Sequence, residues 1–152
     1  MTIARITSVA GCVRYWDFFQ FGIKQTAKFL RYDLPMDIFR KMVFHLSRQH
    51  DTAWIGIALE DDGTPVSFAI AHECTPLFSP RREFEASLVF HQTGRSDATE
   101  ALQTAFETFC RSNNISVYYA TTRRDSGSAI RCFQSERYGF KRAYTTFIKE
   151  LT

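Results

Sequence analysis

The chain has 152 residues, 45% hydrophobic and 15% aromatic with fifteen Phe, and carries a net charge of +3. A single domain of this size buries roughly 68–70% of its unfolded surface, and so apolar a composition excludes a disordered chain. A charge of +3 is too small for the dense basic stripe of a nucleic-acid binder, and no apolar run approaches the roughly 20 residues that a membrane span needs.

The charge is unevenly spread. Residues 1–110 carry eleven Lys and Arg against thirteen Asp and Glu, whereas residues 111–152 carry eight against three. A basic C-terminal third attracts an anionic ligand such as a nucleotide phosphate, or else forms a solvated face. Cys12, Cys74, Cys110 and Cys132 are scattered without a C-x-x-C pair. That spacing predicts no zinc site or disulfide framework, no metal, and reduced thiols in a cytoplasmic setting. Val9-Ala10-Gly11-Cys12 has the look of a lipoprotein cleavage box. Only Ile6-Thr7-Ser8 separates it from Arg5, too short for the apolar region of a signal peptide.

Residues 2–8 alternate weakly and predict a first strand. From 13 to 30, Val13, Trp16, Phe19, Ile23, Ala27 and Leu30 recur at helical spacing. Phe18 and Phe21 lie off that stripe, either as contacts to neighbouring elements or as an exposed aromatic surface for a protein partner. Pro35 suits the first turn of a second helix, with Ile38, Met42, Val43 and Leu46 inward. The period then changes. Segments 54–59 and 66–72 read as strands around Asp61-Asp62-Gly63-Thr64-Pro65, a hairpin signal centred on Asp-Gly. Segment 83–91 is a third strand after a Pro-containing loop at 74–82. Residues 97–111 form a helix with Ala98, Leu102, Ala105, Phe106 and Phe109 on one face. Segment 115–121 is a short strand, 126–137 a last helix and 140–151 a closing strand.

The order is β-α-α-β-β-β-α-β-α-β, without repeat or linker. It predicts a single α/β domain over 1–152 with a mixed sheet between helices on both faces, a three-layer arrangement. The segment Ser126-Gly127-Ser128-Ala129-Ile130-Arg131-Cys132-Phe133-Gln134-Ser135-Glu136-Arg137-Tyr138-Gly139-Phe140-Lys141 has small residues at the start of a helix, a Gly stop, and Phe-Lys opening a strand. That ending and the element order resemble the GNAT superfamily of acyl-CoA-dependent N-acetyltransferases over nearly the whole chain.

The resemblance implies a site built from the third hairpin-region strand and the helix after it. In the family that strand ends like V-x-P, and a Gln/Arg-x-x-Gly-x-Gly/Ala loop opens the helix. Glycines there let backbone amides cradle a pyrophosphate at the positive end of the helix dipole. Here Val89-Phe90-His91 fits the strand end and Leu102 the first buried helix leucine. Between them runs Gln92-Thr93-Gly94-Arg95-Ser96-Asp97-Ala98-Thr99. In that register Arg95, Asp97 and Thr99 hold the family's glycine positions, and Gly94 is displaced. Acetyl-CoA contacts are implied at Val89, His91, Gly94, Arg95, Ser96, Asp97, Ala98 and Thr99, and at Ser128 in the last helix. Asp97-Ala98-Thr99-Glu100 also reads as a capping box, with Asp97 as N-cap. It sets a negative charge where a phosphate would lie, with Arg95, Arg123 and Arg124 available to offset it.

The family's general base is a Glu early on the same strand, which corresponds to Glu83, with Glu85 two residues on and on the same face. The bland alternative for both is a solvent-facing strand edge. His91 is an alternative base. The family's general acid, a Tyr in the last helix, falls on Phe133 in one register and Ser135 in the other. Tyr138 packs under the strand, one of Tyr118 and Tyr119 faces the site, and the acid stays unassigned. Two functions follow from the resemblance. One is an N-acetyltransferase moving an acetyl group from acetyl-CoA to an amine of a small molecule or protein. Acidic Glu73, Glu83 and Glu85 then favour a cationic amine. The other is a catalytically inactive GNAT-fold structural or binding protein, as in GNAT-like internal virion proteins of short-tailed phages.

Overall fold

The computed structural model describes residues 1–28, 35–74, 80–120 and 139–140. The chain divides into two compact units, Met1–Thr121 and Thr122–Thr152. The elements described below all belong to the first. The expected last helix at 126–137 and nearly all of the closing strand at 140–151 lie outside the described residues, together with Arg123, Arg124, Ser128, Phe133, Ser135 and Tyr138. Gly139 is described and has φ +67°, the left-handed conformation that favours glycine.

Strand β1 (Thr2–Arg5) is followed by helices α1 (Val9–Arg14), α2 (Trp16–Ala27) and α3 (Met36–Leu46). Then come β2 (Ala53–Leu59), β3 (Pro65–Cys74), β4 (Glu83–His91), α4 (Ser96–Ser112) and β5 (Val117–Ala120). The five strands form one sheet in sequence order. Neighbours are antiparallel from β1 to β4, and β5 lies parallel to β4. The mixed sheet with helices on both faces is the expected fold class.

Local chemistry explains most of the boundaries. At the β2–β3 turn Gly63 adopts φ +86° and the Thr64 amide donates to Asp62 Oδ1 at 2.9 Å, so the Asp-Gly signal works as read. Ahead of α2, the expected single helix over 13–30 is two helices. Ser8 caps α1 by accepting from the Gly11 amide at 3.2 Å, and Tyr15 at φ −110°, ψ 16° breaks the chain before α2. In α3 the buried residues are Phe39, Val43 and Leu46, while Ile38 and Met42 are exposed. Val43 and Leu46 face inward as expected, but Phe39 takes the core in place of Ile38 and Met42.

Two apolar clusters sandwich the sheet. Phe19, Ile23, Phe39, Val43 and Leu46 from the helices pack on Ile55, Ile57, Phe68, Ile70 and Phe90. On the other face, Ala98, Leu102, Phe106, Phe109 and Cys110 of α4 pack on Trp54, Ala58, Ala69, Ala71 and Phe84. This is the helix face read from the sequence, with Cys110 added. Burying each large side chain contributes about 1.5–3 kcal/mol relative to exposure.

Candidate functional site

The register of β4 decides where its side chains point. Against β3, Ile70 pairs with Leu88 but Ala71 pairs with Ala86, so Ser87 is an extra residue, a β-bulge. A bulge swaps faces. Phe84 and Ala86 belong to the cluster under α4, whereas Leu88 and Phe90 belong to the cluster under α1–α3. Glu83 and Glu85 therefore lie on the α1–α3 face, and Val89 and His91, beyond the bulge, lie on the α4 face.

Glu83 opens β4 opposite Cys74 of β3 and Val117 of β5. It is 6% exposed, and its Oε2 is buried without a hydrogen-bond partner among the described residues. A buried polar oxygen left without a donor costs about 1–3 kcal/mol, more when charged. Glu85 sits opposite His72 and Tyr119. The Ser87 hydroxyl lies 3.2 Å from His72 Nδ1 and donates to the Glu85 carbonyl at 3.4 Å. Burial, followed by the charges of Glu85 and Glu83, pushes the Cys74 thiol above its ordinary pKa. One end of the sheet thus gathers His72, Cys74, Glu83, Glu85 and Ser87 on one face. No group of three or more His, Cys, Asp or Glu suited to a metal occurs among the described residues. His91 belongs elsewhere: its Nδ1 is 3.0 Å from Thr99 Oγ1 at the start of α4.

The loop into α4 departs from the expected cap. The helix starts at Ser96 with Arg95 in the N-cap position, and no side-chain hydrogen bond caps it. Asp97 is inside the first turn, two residues past the N-cap position. Its carboxylate instead accepts from Arg95, Nε to Oδ1 and a terminal nitrogen to Oδ2, both at 3.0 Å. The same guanidinium also binds Glu60 at the end of β2. Arg95, then the Ala98 amide, hold the Asp97 carboxyl below the usual carboxylate range. The electrostatic consequence drawn from the sequence survives the correction: a fixed anion sits at the positive end of α4. Gly94 keeps φ +82° with open space around it, and Ser96 is exposed. Ala98 is fully buried, so its side chain serves the core rather than a ligand.

Acetyl-CoA fits these two halves unequally. The strand half suits a pantetheine arm: β4 is exposed at Val89, and its pairing with β5 among the described residues runs only from Glu83 to Ala86. At the helix half, a pyrophosphate has to displace Glu60 and Asp97 from Arg95 before that guanidinium is available to it. A groove of about 190 Å³ lies between α2 and α3, lined by Trp16, Gln20, Met36, Asp37 and Arg40.

Tyr118 and Tyr119 are separated by the sheet. The Tyr118 hydroxyl donates to Glu107 Oε1 at 3.1 Å and accepts from Gln103 at 3.0 Å, and its ring packs edge-on against Phe106. Burial first, and Glu107 second, raise its phenol far above the ordinary value. It serves the α4 side. The sequence reading missed His72, Ser87 and Glu60. The first two are brought to the site by the bulge, and the third by the closeness of the β2 end to the start of α4.

No family model matches the sequence, and no curated protein does. Solved structures match over the full length. A probable acetyltransferase superposes with a TM-score of 0.75 at 16% identity, covering 100% of this chain and 99% of that one. An aminoglycoside acetyltransferase, meta-AAC0020 from an uncultured soil metagenomic sample, in complex with sisomicin, gives 0.73 at 13% identity over 99% and 96%. Aminoglycoside N-acetyltransferase AAC(6')-Iy in complex with CoA gives 0.65 at 12% identity over 99% of each chain. The chain has the fold of the GNAT acetyltransferases.

Proposed function

We propose that this chain transfers an acetyl group from acetyl-CoA to an amine, with Glu83 as the general base and Glu85 beside it. The observation that carries the reading is Glu83 itself, a carboxylate 6% exposed at the head of β4 whose buried Oε2 has no hydrogen-bond partner among the described residues. An incoming ammonium supplies the missing donors. Giving up a proton to the carboxylate then frees the nitrogen lone pair for attack on the acyl carbon. The bulge at Ser87 keeps Glu83 and Glu85 on the α1–α3 face, the side that also carries the groove. Val89, Gly94, Ser96 and Thr99 are the residues offered to the thioester carrier, and Ser128 is assigned only by resemblance. The full-length matches support treating 1–152 as one domain, and the CoA and sisomicin complexes among them support the donor and an amine acceptor.

A second reading, a GNAT-fold binding protein without catalysis, is favoured by Arg95, which already holds two carboxylates where phosphates would bind. Thermal unfolding with submillimolar acetyl-CoA separates the two. A ligand at ten times its Kd adds about 1.4 kcal/mol, a shift of a few degrees. The enzyme reading predicts that shift in the wild-type chain. No shift in the wild type, with one appearing in Asp97→Gly, supports the binding-protein reading instead.

A further inference from the structure

Glu83 stands at the head of β4, between Cys74 of β3 and Val117 of β5. Its buried Oε2 has no hydrogen-bond partner among the described residues, so desolvation works to swing the carboxylate outward or to fray the strand end. The residue just before it opposes that. Arg82 Nε donates to Glu73 Oε1 at 2.8 Å, and its two terminal nitrogens donate to the Asp51 carbonyl at 2.7 Å and the Asn113 carbonyl at 3.1 Å. Glu73 precedes Cys74 at the end of β3, and its own amide donates to the Thr52 carbonyl at 2.8 Å. Asn113 is the C-cap of α4, and two residues on the Ile115 amide returns to the Cys110 carbonyl at 2.9 Å, just before β5. One planar guanidinium thus ties together both chain segments that flank Glu83. It does so from the other side of the sheet. Glu73 pairs with Phe84, which packs under α4, and residues directly opposite across strands share a face, whereas Glu83 lies on the α1–α3 face.

We propose that Arg82 is a positioning residue for the acyl transfer: its fork fixes the head of β4 between β3 and β5 and so aims the Glu83 carboxylate at the amine. The inference rests on the acetyl-transfer reading above. Arg82 acts through the backbone, from the face opposite the base. Its charge is already matched by Glu73, so what it supplies is geometry. A Lys ammonium keeps that charge but lacks the rigid fork that reaches three acceptors at once.

Arg82→Ala and Arg82→Lys test the assignment, each alone and combined with Glu83→Gln, at a temperature where unfolding curves show every variant folded. A misplacement of about 1 Å costs about 10²-fold. Arg82→Ala is expected to lower kcat by about 10²-fold and to leave KM for acetyl-CoA within about threefold, because Val89, offered to the donor, lies at the other end of β4. Arg82→Lys should recover less than about tenfold of that loss. In the Glu83→Gln background the base is gone, so adding Arg82→Ala should change the residual kcat by less than about threefold. A role limited to holding the sheet together would instead multiply the two losses. Glu73→Ala, which keeps Arg82 and removes one anchor, replaces Arg82→Ala should that variant not fold; it should lower kcat by about tenfold and add nothing in the Glu83→Gln background. Losses that multiply overturn the assignment, as does a wild-type kcat in Arg82→Ala, in Arg82→Lys or, where it stands in, in Glu73→Ala. A wild-type chain that acetylates no amine overturns the acetyl-transfer reading and this role together, whereas multiplying losses overturn the role of Arg82 alone.

Discussion

Gly22 lies where α2 crosses β4, and replacing it with Ala opposes two effects of known size. Ala is favoured over Gly in a helix interior by about 0.8–1.0 kcal/mol. A Cβ at position 22 would lie 2.4 Å from Phe68 Cε1 and 2.7 and 2.8 Å from Phe90 Cδ1 and Cγ. Carbon atoms prefer about 3.5–4.0 Å. Neither ring can step aside cheaply. Phe68 is fully buried and touches the rings of Phe18, Phe19 and Phe90, while Phe90 is 8% exposed and touches Phe18 and Phe21. Overpacking of this kind costs about 1–3 kcal/mol, and three contacts below 3.0 Å place it near the upper end. The net expectation for Gly22→Ala is a loss of about 1–2 kcal/mol, a Tm lowered by about 2–8 °C. Urea and thermal unfolding followed by the fluorescence of Trp16 and Trp54 measure it. A variant as stable as wild type, or more so, would show that helix propensity wins and that α2 is not seated on Phe68 and Phe90.

Three further outcomes follow from the site. Glu85→Gln removes one of the charges that hold the Cys74 thiol protonated, so Cys74 should react faster with a thiol reagent at pH 8; an unchanged rate would separate the thiol from the carboxylates. Burial, then Glu107, raise Cys110 from 9.0 to about 11. The unfolded thiol ionises near 9.0 and the folded one near 11, so Cys110 contributes its full stability below pH 9 and loses it as pH rises from 9 to 11. Cys110→Ala should flatten that part of the stability curve, and a curve that keeps its fall contradicts the assignment. Glu60→Gln and Asp97→Asn each free Arg95 from one carboxylate, so each should strengthen acetyl-CoA binding by titration calorimetry, with the gain fading at high salt; weaker binding would refute competition at Arg95.

What could be read in advance differed between backbone and site. The Asp62-Gly63 hairpin and the 83–91 strand were legible because turn chemistry and strand period are local. The α4 face was legible from its 3.6-residue spacing. The face swap in β4 was not. Phe84, Ala86, Leu88 and Phe90 alternate strictly, which spells a regular strand with one apolar face, yet the bulge at Ser87 sends the first two to α4 and the last two to α1–α3. No residue type at 86–88 announces it. The pairing of Glu85 with His72 and Tyr119 depends on the same register, so it could not be read from the chain alone. Asp97 failed as a cap for a smaller reason: the N-cap position falls two residues earlier, at Arg95, and Arg95 offers the carboxylate a stronger partner than a backbone amide.

The most direct trial of the account is acetyl transfer by the wild-type chain against Glu83→Gln, measured as thiol release from acetyl-CoA over a panel of primary amines. Glu83→Gln keeps the shape of the side chain and removes the base. The account predicts amine-dependent thiol release by the wild type and a kcat lowered by about 10²–10⁴-fold in Glu83→Gln, with its unfolding midpoint not lowered. Undiminished transfer by Glu83→Gln would remove the base from Glu83, and no amine-dependent release by the wild type would contradict the acetyl-transfer reading itself.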